Sequence, residues 1–153
     1  MTLLLEMPGG GEWILILMVM GLMFIPKIFY LLTLQSTLNT ISVQNRKMAP
    51  ANVWLLLIPL FNLVWHFNVV KNLSESIKAD ATEKNVSIGE PNPAYNLGLA
   101  MCILNCLFII PVVGTVAAFA GFICWIIYWL KIAGYKKLLV GNKPFAVSNN
   151  GIN

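Results

Sequence analysis

The sequence predicts an all-α integral membrane protein of four transmembrane helices, the last two forming a tight antiparallel hairpin. Three observations carry that expectation. Hydrophobic residues make up 58% of the chain and charged residues only 10%, whereas a soluble domain is nearer half apolar and a quarter charged. Four apolar runs each approach the roughly 20 residues that a membrane helix needs. Between them lie Pro- and Gly-containing breaks, which read as turns. A length of 153 residues predicts one membrane domain, 1–153, and the mean hydropathy is +0.77.

The first span is read over 13–34. Gly9-Gly10-Gly11 precedes it as a breaker, and Glu12 suits a helix N-terminus, where the dipole favours negative charge. The leading MTLLLEMPGGGEW holds no Lys or Arg. A secretory signal needs a basic first region, so this run is expected to stay as a helix. Residues 35–47 are polar but keep Leu38, Ile41 and Val43, as a helical extension or an interfacial segment would. The second span is read over 52–73, after Ala49-Pro50, and runs on as a cytoplasmic helix over 71–84. There Lys71, Glu75 and Lys78 form a ladder of the kind found on solvated helix surface. Asn85-Val86-Ser87 matches the glycosylation sequon, a match common by chance. The third span, 94–110, follows Pro91 and Pro93. The fourth covers 115–133, joined to the third by Pro111-Val112-Val113-Gly114, and a basic tail occupies 134–153.

With four spans, Lys71, Lys78, Lys84, Lys131, Lys136, Lys137 and Lys143 fall on the side of both termini, against Arg46 and Lys47 on the other. The positive-inside rule then places both termini in the cytoplasm. Trp13, Tyr95, Trp125, Tyr128, Trp129 and Tyr135 would form the cytoplasmic aromatic belt, with Trp54 toward the opposite face.

Lipid tails are as apolar as Leu, so membrane helices associate through close packing of small residues and a few hydrogen bonds. Gly98, Cys102 and Cys106 recur every four residues in the third span; Gly114 and Ala118, and Ala117 and Gly121, do so in the fourth. These faces are expected to meet. Cys102, Cys106 and Cys124 all lie in apolar runs and read as small buried thiols.

The second span carries a proline, the only histidine and several amides. Pro59, Asn62 and His66 share a sector of roughly 60° on a helical wheel. Polar groups at membrane depth must be satisfied by protein or water. Asn62 could bond to Asn105 of the third span, pinning a helix kinked at Pro59. His66 could pack, hold a carbonyl, move protons or ligate a metal. Lys27 follows Pro26 in the first span with no acid nearby to pair with it, and an intramembrane charge is a functional flag. Lys27, Asn62, His66 and Asn105 are therefore the candidate polar cluster.

Several classes are excluded by what the chain lacks. There is no Ser/His/Asp set, GxGxxG, Walker A or HExxH pattern, and no basic patch interleaved with aromatics for nucleic acid. All six acids lie outside the apolar runs, which disfavours ion-coupled transport.

Asn45-Arg46, Met48-Ala49-Pro50, Trp54, Ile58-Pro59, Asn62, Val69-Val70 and the run from Leu73 to Ser76 form a pattern. It resembles small uncharacterised bacterial four-helix inner-membrane proteins of the domain-of-unknown-function type, over roughly residues 44–135. The resemblance implies a bacterial inner-membrane location and brings no activity with it. The first functional expectation is a non-enzymatic accessory or scaffold subunit of a larger membrane assembly, without cofactor or catalytic residues. Its partners would be the lipid bilayer and other membrane proteins or further copies of itself. The alternatives are a homo-oligomeric channel or permeation protein lined by Asn62, His66, Asn105 and Lys27, and a redox-associated subunit with His66 as ligand.

Overall fold

The computed structural model describes residues 10–58, 60–107 and 110–141, and every regular element among them is helical. The α-helices are α1 (Gly10–Thr40), α2 (Phe61–Glu83), α3 (Tyr95–Leu107) and α4 (Pro111–Gly141). Short 3-10 helices occupy Val43–Asn45 and Pro50–Leu57. The chain divides into two compact units, Met1–Leu32 and Thr33–Asn153.

The first unit is the apolar part of α1. Gly10 and Gly11 are already helical, so the glycine run does not hold the helix off, and Pro26 lies inside it. Seven consecutive residues from Trp13 to Val19 are exposed, so this helix is apolar all round. Among the described residues, windows in Trp13–Thr40 and Val113–Gly141 make two helices long and apolar enough to cross a membrane. The 13 residues of α3 reach only about 20 Å at 1.5 Å per residue, short of the roughly 30 Å hydrocarbon core.

The second unit departs from the expected single helix over 52–73. Pro50 starts a 3-10 helix that stops at Leu57. Ile58 is extended (φ −77°, ψ 114°), as a residue preceding proline is driven to be. The kink expected at Pro59 lies outside the described residues. Leu60 takes a positive φ of 65°, and the chain turns before α2 starts at Phe61. The 3-10 segment then packs back on α2, with Trp65 Nε1 donating to the Asn52 carbonyl at 2.9 Å.

Residues 50–83 therefore run out and return. The segments expected on opposite sides of a crossing are bonded to each other. Ser42 N–H donates to Asp80 Oδ1 at 2.9 Å, and Lys47 N–H donates to Ser76 Oγ at 2.8 Å. The aromatic belt changes accordingly. Trp54 Nε1 donates to Gln35 Oε1 and Trp129 Nε1 to Thr33 Oγ1, each at 2.9 Å. Thr33 and Gln35 are two residues apart on α1, about 3 Å of rise, so Trp54 and Trp129 lie at similar height rather than at opposite faces.

The C-terminus of α2 is closed by a Schellman turn. Val86 N–H donates to Ala81 O at 2.8 Å and Asn85 N–H to Thr82 O at 3.3 Å. Asn85 sits at φ 53°, the left-handed position that Asn tolerates better than most residues. Its role as a cap explains why an asparagine stands there.

Helices α3 and α4 pack antiparallel. A Cβ on Gly98, early in α3, would meet Tyr128 of α4, and one on Gly121 would meet Leu104 and Asn105 late in α3. The residues Pro111–Gly114 are not a free link but the first turn of α4. Proline is preorganised for that position, where its missing N–H costs nothing. At the other end α4 continues to Gly141, so residues 134–141 of the expected tail are helical.

Candidate functional site

A cavity of about 390 Å³ lies between the start of α2 and the facing sides of α3 and α4. Asn62 is in the first turn of α2, and His66 follows one turn later on the same face. From α3 come Cys102 and Asn105; from α4 come Ala118, Gly121, Phe122 and Trp125. The structure thus brings Asn62, His66 and Asn105 of the predicted cluster to one place. Lys27 belongs to the Met1–Leu32 unit and is half-exposed there.

Small residues set the walls. A Cβ on Gly98 would lie 2.5 Å from Val70 Cγ1 and 2.8 Å from Tyr128 Cε2. No side chain fits there, so α3 is seated tightly against both α2 and α4. A Cβ on Gly121 would lie 3.3 Å from Asn105 Oδ1, so this carbonyl oxygen rests over bare α4 backbone. Of the residues expected to pack helices, Gly98, Cys102, Gly114, Ala117 and Gly121 are buried, and Cys106 and Ala118 half-buried.

The polar groups of the cavity are incompletely matched. Asn62 Oδ1 is buried and has no hydrogen-bond partner. The clasp expected between Asn62 and Asn105 is therefore not made through this oxygen. An amide carbonyl left unpaired in low-dielectric surroundings costs about 1–3 kcal/mol. His66 is 8% exposed beside it. Among the described residues no three His, Cys, Asp or Glu side chains converge as a metal site requires.

A second polar centre was not anticipated. Asp80 is fully buried in the helix read as solvated. Its Oδ1 accepts from Ser42 N–H and from Asn45 Nδ2 at 3.3 Å, and its Oδ2 accepts from Lys84 Nζ at 2.5 Å. Burial alone would raise its carboxyl, but the bonds from Lys84, Ser42 and Asn45 outweigh that and hold it below the usual carboxylate range. Glu83 accepts from both Gln44 and Asn45 beside it. A sequence signal existed. Leu73, Ile77, Asp80 and Ala81 lie at i, i+4, i+7 and i+8, so the acid stands on the apolar stripe.

Glu90 forms a third centre in the loop before α3. It accepts from Lys131 of α4, from the Ala94 N–H at 3.1 Å and from Tyr135. The Lys131 bond, chiefly, lowers its carboxyl. Ala94 takes φ 55° at this point, a conformation costly without a Gly, and the Glu90 bond helps to hold it.

No protein-family model, curated protein or solved structure matches the chain.

Proposed function

We propose that the protein is a non-enzymatic integral membrane protein of bacterial inner-membrane type, acting as an accessory or scaffold subunit of a larger membrane assembly. The observation that carries this reading is α1. Its residues from Trp13 to Val19 are exposed on every side. A helix apolar all round needs lipid or another protein around it. The outer face of α4, with Phe119, Ile123 and Leu130 exposed, supports the same conclusion.

In this reading α1 and α4 cross the bilayer, and residues 50–83 enter it and turn back. Eight 3-10 residues reach roughly 16 Å at about 2 Å each, half of the hydrocarbon core. Arg46, Lys47, Lys78, Lys84, Lys131, Lys136 and Lys137 then share one face, which the positive-inside rule makes cytoplasmic.

The test is native mass spectrometry of the protein gently extracted from its own cells. The accessory reading expects a stoichiometric complex with other membrane proteins. A chain recovered only as a monomer overturns it. A homo-oligomer alone favours the permeation reading instead, since Asn62, His66 and Asn105 share one cavity. Liposome flux with Asn62 and His66 variants would then follow. An absorbance spectrum of the purified protein tests the redox reading.

A further inference from the structure

We propose that Lys27 is a contact by which the chain joins its assembly: its ammonium pairs, at membrane depth, with an aspartate or glutamate carried inside a membrane-spanning helix of another protein. The inference rests on the accessory reading and names the kind of partner which that reading requires. Lys27 stands in the apolar part of α1, half-exposed, one position after Pro26. Phe24, Ile25, Ile28 and Phe29 around it are apolar and exposed. The ion pairs among the described residues are Lys84–Asp80 and Lys131–Glu90, and neither involves Lys27. The chain's own acids offer no partner at that depth, since all six lie outside the apolar runs. Glu12, on the same helix, is about 22 Å away along its axis. Asp80, Glu83 and Glu90 already accept bonds within their own unit.

Two features keep the ammonium from the membrane surface. The apolar run that begins at Trp13 ends at Leu34, so Lys27 lies about 10 Å inside the nearer end. That end is the C-terminal one, whereas the Cα–Cβ bonds of a helix tilt toward its N-terminus. The side chain therefore sets out toward the middle of the bilayer, away from the nearer headgroups. A charge at such depth is costly, and intramembrane charges pair with one another. Pro26 adds a second demand on the same stretch. It has no N–H, so the Leu22 carbonyl lacks its donor four residues on, and a carbonyl freed in lipid needs a polar neighbour. An ionised carboxylate is the complement of the ammonium, because it accepts only and carries the opposite charge.

The experiment uses the full chain in phosphatidylcholine vesicles at about pH 8, above the ordinary carboxylate range. The probes are synthetic polyleucine membrane-spanning peptides that differ at one central position, which is aspartate, leucine or lysine. Energy transfer between labels on the chain and the peptide reads association. The aspartate peptide is expected to associate at least about tenfold more tightly than the other two, the scale that a close charge pair contributes. Lys27→Met should lose that preference and Lys27→Arg should keep it. Equal association of the three peptides, or a preference that survives in Lys27→Met, would overturn the proposal. So would a preference that vanishes when phosphatidylglycerol is added, since an anionic headgroup would then satisfy Lys27. The peptide comparison on the parent chain needs neither a variant nor a native partner, so it decides the proposal even where the chain leaves its cells as a monomer. In the native complex, Lys27→Met should lose the partner subunit and Lys27→Arg should retain it. A complex that persists unchanged in Lys27→Met overturns the pairing and leaves the accessory reading standing.

Discussion

Two polar regions of the Thr33–Asn153 unit use similar residues to opposite ends. Around Asp80, every acceptor is met: Ser42, Asn45 and Lys84 serve its carboxylate, and Lys47 and Asn72 are tied through Ser76. Around Asn62, an amide of the same kind is left with a buried unpaired oxygen beside about 390 Å³ of space. Saturation marks the first as a structural fastening. It joins the loop after α1 to the end of α2 and so fixes the return of residues 50–83. Incompleteness leaves the second with an unmet acceptor that adds nothing to the fastening of the fold. Polar residues in an apolar chain are therefore told apart less by type or depth than by whether their bonds are closed.

The sharpest way to break the comparison is at Asp80. Asp80→Ala leaves Lys84 and the Ser42 N–H without their acceptor, and loss of one partner of a buried ion pair costs about 3–5 kcal/mol. Chemical unfolding in detergent should register that loss. An Asp80 variant within about 0.5 kcal/mol of the parent, the scale of ordinary surface changes, would mean that the fastening does not hold the fold. Next in size is Gly98→Ala. Its methyl would meet Val70 and Tyr128 at under 3 Å, and such overpacking costs about 1–3 kcal/mol. The same unfolding assay reads it, with Gly134→Ala as the control, since it meets nothing within 4 Å and gains only the helix preference of Ala over Gly, about 1 kcal/mol.

The cavity should respond with the opposite sign. Asn62→Leu removes an unpaired acceptor and should raise stability by about 1 kcal/mol; a loss of stability would mean that the oxygen is already satisfied. The smallest effect concerns pH. Asp80 and Glu90 are both held below the ordinary carboxylate range. Their stabilisation is complete above the unfolded value of about 4 and is lost as pH falls through the lower folded values. Melting temperature should stay flat from neutral pH down to about 5, then fall, and Asp80→Asn should blunt that fall.

Helical class and element positions were legible because apolar runs and prolines speak locally. The ends of α3 came within a few residues of the expected 94–110, and small residues foretold that α3 and α4 could approach. What failed was the path of the second span. A run such as WLLLIPLFNLVW satisfies a length criterion whether it is straight or folded on itself. Only the pull of Pro59 on Ile58 hinted at a stop, and a kink was an equally local reading. The bond that decides the matter, Ser42 to Asp80, spans 38 residues, and no local pattern reports a contact of that separation. Asp80 could have been noticed, since it interrupts the Leu73–Ile77–Ala81 stripe. Of the cavity, Asn62 and His66 were visible through their shared face. That the Asn62–Asn105 clasp is not made through the Asn62 oxygen was not legible, because it depends on how closely Asn105 settles over Gly121.

The return of residues 50–83 to their starting face is the claim on which the rest stands. It is tested most directly by labelling with a membrane-impermeant maleimide. Cys102, Cys106 and Cys124 are replaced, and single cysteines are introduced by Lys47→Cys and Lys78→Cys at two exposed positions. In right-side-out vesicles both sites should be protected, and in inverted vesicles both should react. Labelling of Lys47→Cys from the outside, with Lys78→Cys reacting only from the inside, would show that the second segment crosses and would contradict the account.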